Sequence, residues 1–259
     1  MVNLSDFKVS HYPDGHKHIV STMDLKGSTT LSASIRNFDD LFLIAQVLEI
    51  HPEIRHLQVN YLLAARCDRR FSPGEAIDIK IVCDYLCSLR LETIGVVKPH
   101  NPVALKKYLP NASIVEPTIR LVDLALKDIG DDNVCFVSPD AGAATWVSHQ
   151  IPLNCDLVQC SKRRDENGKV VSTEIKATST NIRMYDKFVI VDDLCDGGRT
   201  FTEIAKAIHL RSPKAKVYLV VTHAIFSNGL AVFDGKIERI YCTDSFATFD
   251  DPMIRQLKL

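Results

Sequence analysis

Apolar and polar positions fall in blocks along the chain, and the spacing inside each block names the element it predicts. Residues 1–35 are polar and rich in Ser, Thr, Asp and His, with YPDG at 12–15 as a turn between short strands. Asn37 can cap a helix running to about residue 49, with Leu41, Ile44, Ala45 and Leu48 at helical spacing before Pro52 stops it. Residues 56–63 read as a strand, with ARCDRR (65–70) at its C-terminal end. A helix over 74–91 is expected to turn Ile77, Ile81, Tyr85 and Leu89 inward, and 93–97 is the next strand, ending in KPHNP (98–102). Residues 103–118 contain two prolines and little periodicity, which places a crossing between two lobes there.

The pattern then restarts. A helix over 121–129 leads to a strand over 133–137, which ends in SPDAG (138–142) and a helix start made of small residues. A strand over 156–160 ends in SKRR (161–164), and DENG (165–168) suggests a hairpin. Phe188, Val189, Ile190 and Val191 form a continuous apolar run, the mark of a strand buried on both faces. Paired acids and a glycine turn follow, and Thr200 opens a helix with Ile204, Ala205 and Ile208 on one face. A strand over 216–221 ends in THAIFSNG (222–229), and a strand over 237–243 closes the pattern. Strands alternating with helices predict an α/β protein of two lobes, each a mainly parallel sheet flanked by helices. Nearly every polar cluster lies just after a strand, the edge at which open α/β sheets bind ligands.

The stretch 187–208 therefore carries the first chemical expectation. Unpaired backbone N–H groups and the helix dipole at such a turn suit a phosphate. Asp192 and Asp193 stand where carboxylates could accept hydrogen bonds from a sugar's vicinal hydroxyls. An ordinary βα turn with exposed acids would carry the same residue types.

Composition narrows the field. The 259 residues suffice for two compact lobes or one large domain, and 46% hydrophobic and 24% charged residues are ordinary globular values. A net charge of -1 gives no case for a general nucleic-acid binder, so any anion site must be local. The eight cysteines include no CxxC pair and lie mostly in apolar patterns, which reads as buried thiols in the reducing cytoplasm. Neither they nor His16 and His18 show zinc-ligand spacing with a second pair. With no signal peptide pattern and no membrane-length apolar run, a soluble cytoplasmic protein is expected, without nucleic-acid or membrane partners.

The strand, two acids and small-residue turn resemble the fingerprint of type I phosphoribosyltransferases. Taken together, YPDG, ARCDRR, KPHNP, SPDAGAA, SKRR and THAIFSNGLAV, in this order from Tyr12 onward, resemble the motifs of the ribose-phosphate pyrophosphokinases. That family moves diphosphate from ATP to the C1 hydroxyl of ribose 5-phosphate and releases AMP. The resemblance implies an ATP-side lobe over 1–118 and a phosphoribosyltransferase-like lobe over 119–259, with the site at their junction. It implies that Asp192 and Asp193 hold the ribose hydroxyls, and that Asp196, Gly197, Gly198, Arg199 and Thr200 hold the 5-phosphate. Lys162 and Arg164 would neutralise the transferring group, Asn37, Asp39, Arg66 and Asp68 would contact ATP, and His100 and Asp140 would help hold Mg²⁺. ATP is thus the implied co-substrate, Mg²⁺ the implied cofactor, and a homo-oligomer the implied assembly.

Several positions depart from the family pattern. Cys67 replaces a Gln, Lys98 an Asp before the metal histidine, and His16 the Glu of DGE. The chain begins near that DGE motif, so an N-terminal strand–helix unit that serves oligomer contacts and regulation is expected to be missing. Arg199 places a guanidinium in the phosphate turn, which could favour a larger 5-phosphorylated ribose such as ADP-ribose as acceptor. From the residues alone Arg199 could equally face solvent, Asp140 could be a helix cap and KRR a solvated hairpin face. A phosphoribosyltransferase and a non-catalytic regulatory subunit are the competing functions.

Overall fold

The computed structural model describes residues 1–70, 72–164, 170–176 and 182–259, without the side chains of 162–164, 170–173 and 176. The chain divides into two compact units, Met1–Glu116 and Pro117–Leu259.

In the first unit, β1 (Val2–Asn3), β4 (Thr30–Ser34), β5 (His56–Tyr61), β6 (Thr93–Val97) and β7 (Ala112–Val115) form a parallel sheet in the order β1-β4-β5-β6-β7. The strands β2 (Val9–His11) and β3 (Lys17–Ile19) make a separate antiparallel hairpin, with the expected YPDG turn between them. The connecting helices are α1 (Phe38–Ile50), α2 (Asp78–Ser88) and α3 (Pro102–Tyr108). Strand alternation sets the core: Leu31, Leu57, Val59, Ile94 and Val96 join the buried residues of all three helices in one apolar cluster. Because the strands follow one another without reversal, right-handed crossovers put these helices on one face. The other face is polar, with Asn60 donating to the Ser32 hydroxyl at 2.9 Å and Gln58 donating to Asn60 at 3.0 Å.

The structure adjusts the expectations at three places in this unit. The helix expected over 74–91 is shorter and its fully buried residues are Ile79, Val82, Cys83 and Leu86; of the residues expected inward, Ile77, Tyr85 and Leu89 are partly buried against the same core, whereas Ile81 is half exposed. Ile77 precedes its first turn. The sequence supports two apolar stripes about a quarter-turn apart, and the one with tighter i, i+3, i+4, i+7 spacing wins. The range expected to carry the crossing, 103–118, contains the division between the units after Glu116 and also holds regular structure: Asn101 caps α3, Pro102 occupies its first turn, and β7 adds the edge strand. The strand β4 was hidden by its short alternating polar residues.

The second unit starts with α4 (Thr118–Ile129), β8 (Val134–Ser138), α5 (Ala141–Ser148), β9 (Asp156–Arg164) and β10 (Val170–Lys176). It continues with β11 (Lys187–Cys195), α6 (Arg199–Arg211), β12 (Lys216–Ala224), β13 (Arg239–Thr243) and β14 (Ile254–Leu257). The sheet order is β10-β9-β8-β11-β12-β13-β14, parallel throughout except for the β9/β10 pair. From β8 the chain steps outward one way to β9, and from β11 it steps the other way to β12. That reversal lets helices cover both faces. Val189 and Val191 pack with α4, while Phe188 and Ile190 pack with α6.

Here too the strands outrun their expected ends. SKRR lies within β9, Asp192 and Asp193 lie within β11 and not on a loop, and β14 follows the strand expected to close the pattern. DENG (165–168) lies outside the described residues. Five cysteines are buried and Cys155 is partly so, but Cys67 and Cys87 are exposed. Burial pushes the Cys83, Cys135 and Cys242 thiols up to about 12, so they stay protonated. Among the described residues no helix is long and apolar enough to cross a membrane.

The α2 stripe gives a direct test. Leu86→Ala should destabilise by about 3 kcal/mol and Ile81→Ala by less than about 1 kcal/mol, read by circular dichroism in urea.

Candidate functional site

Strand order reverses between β8 and β11, and the C-terminal ends of strands at such a reversal are where a doubly wound sheet takes its ligand. The residues after β8 and at the end of β11 meet there. Asp140 caps α5, its carboxylate accepting from the Ala143 N–H at 3.1 Å, so the cap anticipated from sequence is present. It also lies near enough to Asp192 for the two charges to repel.

β11 is bonded to β8 and β12 over 187–190 and runs on beside β12 alone, which places Asp192 and Asp193 just past the end of β8. The Asp193 N–H donates to the Asp192 carboxylate at 2.9 Å, and the Asp193 residue is 8% exposed. Burial, then the Asp193 charge, and more weakly Asp140, hold the Asp192 carboxyl well above its ordinary value of 3.8. The same surroundings push the Cys195 thiol up, chiefly through burial and then through Asp192 and Asp196.

Past β11 the turn over 196–198 is tightly fixed. Gly198 has φ +79°, and a Cβ there would sit 2.6 Å from Phe233 Cζ. A Cβ on Gly197 would meet Asn228 Nδ2 at 2.5 Å. Both positions need glycine for close approach, and Gly198 also needs it for its left-handed backbone. A second loop clasps this turn: the Ser227 hydroxyl donates to Asp196 at 2.6 Å and the Asn228 amide donates to the Gly197 carbonyl at 3.1 Å. Gly198 precedes α6, so the amides of Arg199 and Thr200 stand in the first turn, where a helix has no intrahelical acceptors for its N–H groups and an anion can be bound. Arg199 is exposed and makes no ion pair among the described residues. Ser227 and Asn228 were not expected as site residues, although the FSNG segment that carries them stood out after β12.

Of the remaining expected residues, Lys162 and Arg164 lie on β9 opposite Thr173 and Val170, and their side chains are outside the described part. His223 is buried, its Nδ1 2.8 Å from the Ser245 hydroxyl.

In the first unit, the segments after β5 and β6 come together. The Asn101 amide donates to the Asp68 carboxylate while its oxygen accepts from the Val103 and Ala104 N–H groups at 3.1 Å. Arg66 and His100 are exposed beside this contact in sequence. Lys98, at φ +36°, is buried and lies 3.9 Å from the Glu116 carboxylate. Asn37 and Asp39 are occupied otherwise: Asn37 caps α1 by accepting from the Asp40 N–H at 3.1 Å, and Asp39 pairs with Lys17 at 2.8 Å. Neither is placed with Arg66 and Asp68 by any contact described.

Among the described residues no group of three or more His, Cys, Asp and Glu converges to cage an ion. The mutual repulsion of Asp140 and Asp192 would be relieved by a hard divalent cation carried in on a phosphate. The residues fit a magnesium ion that arrives with substrate better than a resident one.

The family described as phosphoribosyl transferase domain matches residues 106–232. A ribose-phosphate pyrophosphokinase from Saccharolobus solfataricus is 27% identical over 228 residues, covering 84% of this chain and 76% of that protein. One from Vibrio parahaemolyticus is 25% identical over 259 residues, covering 95% of this chain and 80% of that protein. The crystal structure of phosphoribosylpyrophosphate synthetase from Mycobacterium smegmatis shares the fold, with a TM-score of 0.81 at 15% identity over 100% of this chain and 94% of that one.

Two substitutions test this geometry. Gly198→Ala should cost about 2 kcal/mol or more, and Gly197→Ala less, because the amide end of Asn228 can move while the Phe233 ring cannot. The raised Asp192 carboxyl means that folding takes up a proton, so ligand-free stability falls as pH rises above 3.8 toward the folded value. Asp192→Asn should therefore stabilise the ligand-free protein by about 1 kcal/mol at pH 7, with the gain vanishing in acid. Urea unfolding read by Trp146, the one tryptophan and a residue of α5, reports both.

Proposed function

Because the chain belongs to the ribose-phosphate pyrophosphokinase family, as a distant member, we propose that it transfers diphosphate from ATP to the C1 hydroxyl of a 5-phosphorylated ribose and releases AMP. One observation carries this reading: acids from two strand ends meet at the switch point, directly before a turn of glycines and unpaired amides. In the proposed complex the 5-phosphate takes the amides of 197–200, and Asp192 and Asp193 accept hydrogen bonds from the 2- and 3-hydroxyls. Ligand hydroxyls and a nearby cation offset the repulsion that the acids suffer alone, so part of the binding free energy comes from relief of that repulsion. The C1 hydroxyl then faces the incoming triphosphate; its oxygen bonds to the β-phosphorus as the bond from that phosphorus to the α,β-bridging oxygen breaks, AMP leaves with the bridging oxygen, and the hydroxyl proton passes to solvent.

Lys162 and Arg164 are proposed to neutralise charge that builds on the transferring oxygens. Arg66 and Asp68 are the proposed ATP contacts, with Asp68 oriented by Asn101. Mg²⁺ bound to the nucleotide would screen the phosphate charge, with His100 and Asp140 as its proposed protein contacts. Asn37 and Asp39 already serve the fold and are weaker candidates for ATP.

Arg199 supports an extension of this reading. An exposed guanidinium beside the phosphate turn suits an acceptor with a second phosphate, such as ADP-ribose. Ribose 5-phosphate remains the first choice.

The test is AMP release from ATP and Mg²⁺ by the purified chain, with ribose 5-phosphate and ADP-ribose offered separately. Release with ribose 5-phosphate is expected, and Lys162→Ala should lower kcat by about 100-fold or more with unchanged Trp146 fluorescence. If ADP-ribose is used, Arg199→Ala should weaken kcat/KM for it about tenfold more than for ribose 5-phosphate. Silence with ADP-ribose removes the extension. Silence with both acceptors, from folded protein, rejects the enzyme reading in favour of a regulatory homologue. Consumption of phosphoribosyl diphosphate without ATP would instead identify a phosphoribosyltransferase.

A further inference from the structure

Across the second unit's sheet from the candidate site, at the N-terminal ends of β11, β12 and β13, lies a cavity of about 470 Å³ beside the end of α4. That size falls within the usual range for small-molecule pockets. Strand alternation explains its lining. Lys187 and Lys216 are register partners, and Tyr218 is paired with Arg239. These four share their face with Val189, Val220 and Tyr241, which pack against α4. Lys214, in the turn before β12, joins them. Like charges side by side on neighbouring strands oppose each other unless an anion lies between them.

The charges around the cavity do not cancel. Asp128 is shared between two guanidiniums, Arg239 at 3.6 Å and Arg255 at 3.2 Å. Asp186 accepts from the Asn133 amide at 2.8 Å, and Glu238 makes no ion pair among the described residues. Lys187 reaches the Gly130 carbonyl at the end of α4, 3.5 Å away, and so answers the helix's negative terminus. Lys214 and Lys216 are exposed and have no carboxylate partner among the described residues. Arg239 also lines the cavity, with one end of its guanidinium on Asp128. The lining thus carries four cations against three carboxylates, with the two exposed lysines, Lys214 and Lys216, side by side on one wall.

We propose that this cavity is a second anion site, taking a small, multiply charged phosphate compound on Lys214, Lys216 and Arg239. Ammonium groups give the point charges and the guanidinium gives paired donors, the combination that phosphate oxygens favour. The site lies at the opposite strand ends from the phosphate turn and does not depend on the proposed reaction.

Inorganic diphosphate, titrated at fixed ionic strength into the isotopically labelled full chain, tests the assignment through backbone amide shifts. Saturable shifts are expected at 186–187 and 214–216. In the Lys214→Gln/Lys216→Gln variant they should require at least about tenfold more diphosphate, while shifts at 196–200 keep their midpoint. Both lysines are exposed and without ion-pair partners, so the fold should survive their replacement. Absence of saturable shifts at 214–216, an unchanged midpoint in the double variant, or equal shifts from sodium chloride alone would each overturn the proposal.

Discussion

Carboxyls crowded at the end of a buried strand are the constraint on which the second unit depends. Asp192 is held protonated more readily than an ordinary aspartate because packing strips its water and Asp193 and Asp140 add negative charge. Such an arrangement has no stabilising role in the ligand-free chain. In the proposed complex hydroxyl donors or a cation would reach the same place and offset that repulsion, so affinity and ligand-free stability would pull in opposite directions at this one point. The surrounding sheet makes this tolerable, since β11 is bonded on both flanks and packed on both faces.

The turn beyond those acids is fixed by neighbours, not by its own sequence alone. Phe233 leaves room only for a hydrogen atom at Gly198, the Asn228 amide closes over Gly197, and Ser227 holds Asp196. The amides at the start of α6 are thereby oriented before any ligand arrives. A phosphate would meet donors already in place, which lowers the ordering cost of binding.

What could be read beforehand follows the physics of burial. The strands β8, β11 and β12 are covered on both faces and read as continuous apolar runs, so the parallel α/β architecture was evident. β4 has one polar face of serines and was lost among the polar residues of 1–35. The α2 stripe was misplaced because two apolar stripes coexist in its sequence, and only the sheet beneath decides between them. Asp192, Asp193 and the glycine turn were legible from residue types next to a strong strand. Asp140 was expected at the site through the family resemblance, while its approach to Asp192 follows from sheet order; the clasp by Ser227 and Asn228, which joins residues 31 apart, was not legible. Lys98 and Glu116 stood 18 positions apart with nothing in the sequence to mark them as neighbours.

The two sheets differ in how they are sheathed. One-way strand order leaves the first with helices of its own unit along a single side and a seam of serine, asparagine and glutamine on the other. Reversed order gives the second a helical layer above and below. The glycine turn therefore hangs from a slab with a helical layer on each side, while Asp68 and Asn101 follow strands whose second face is a hydrogen-bonded polar seam.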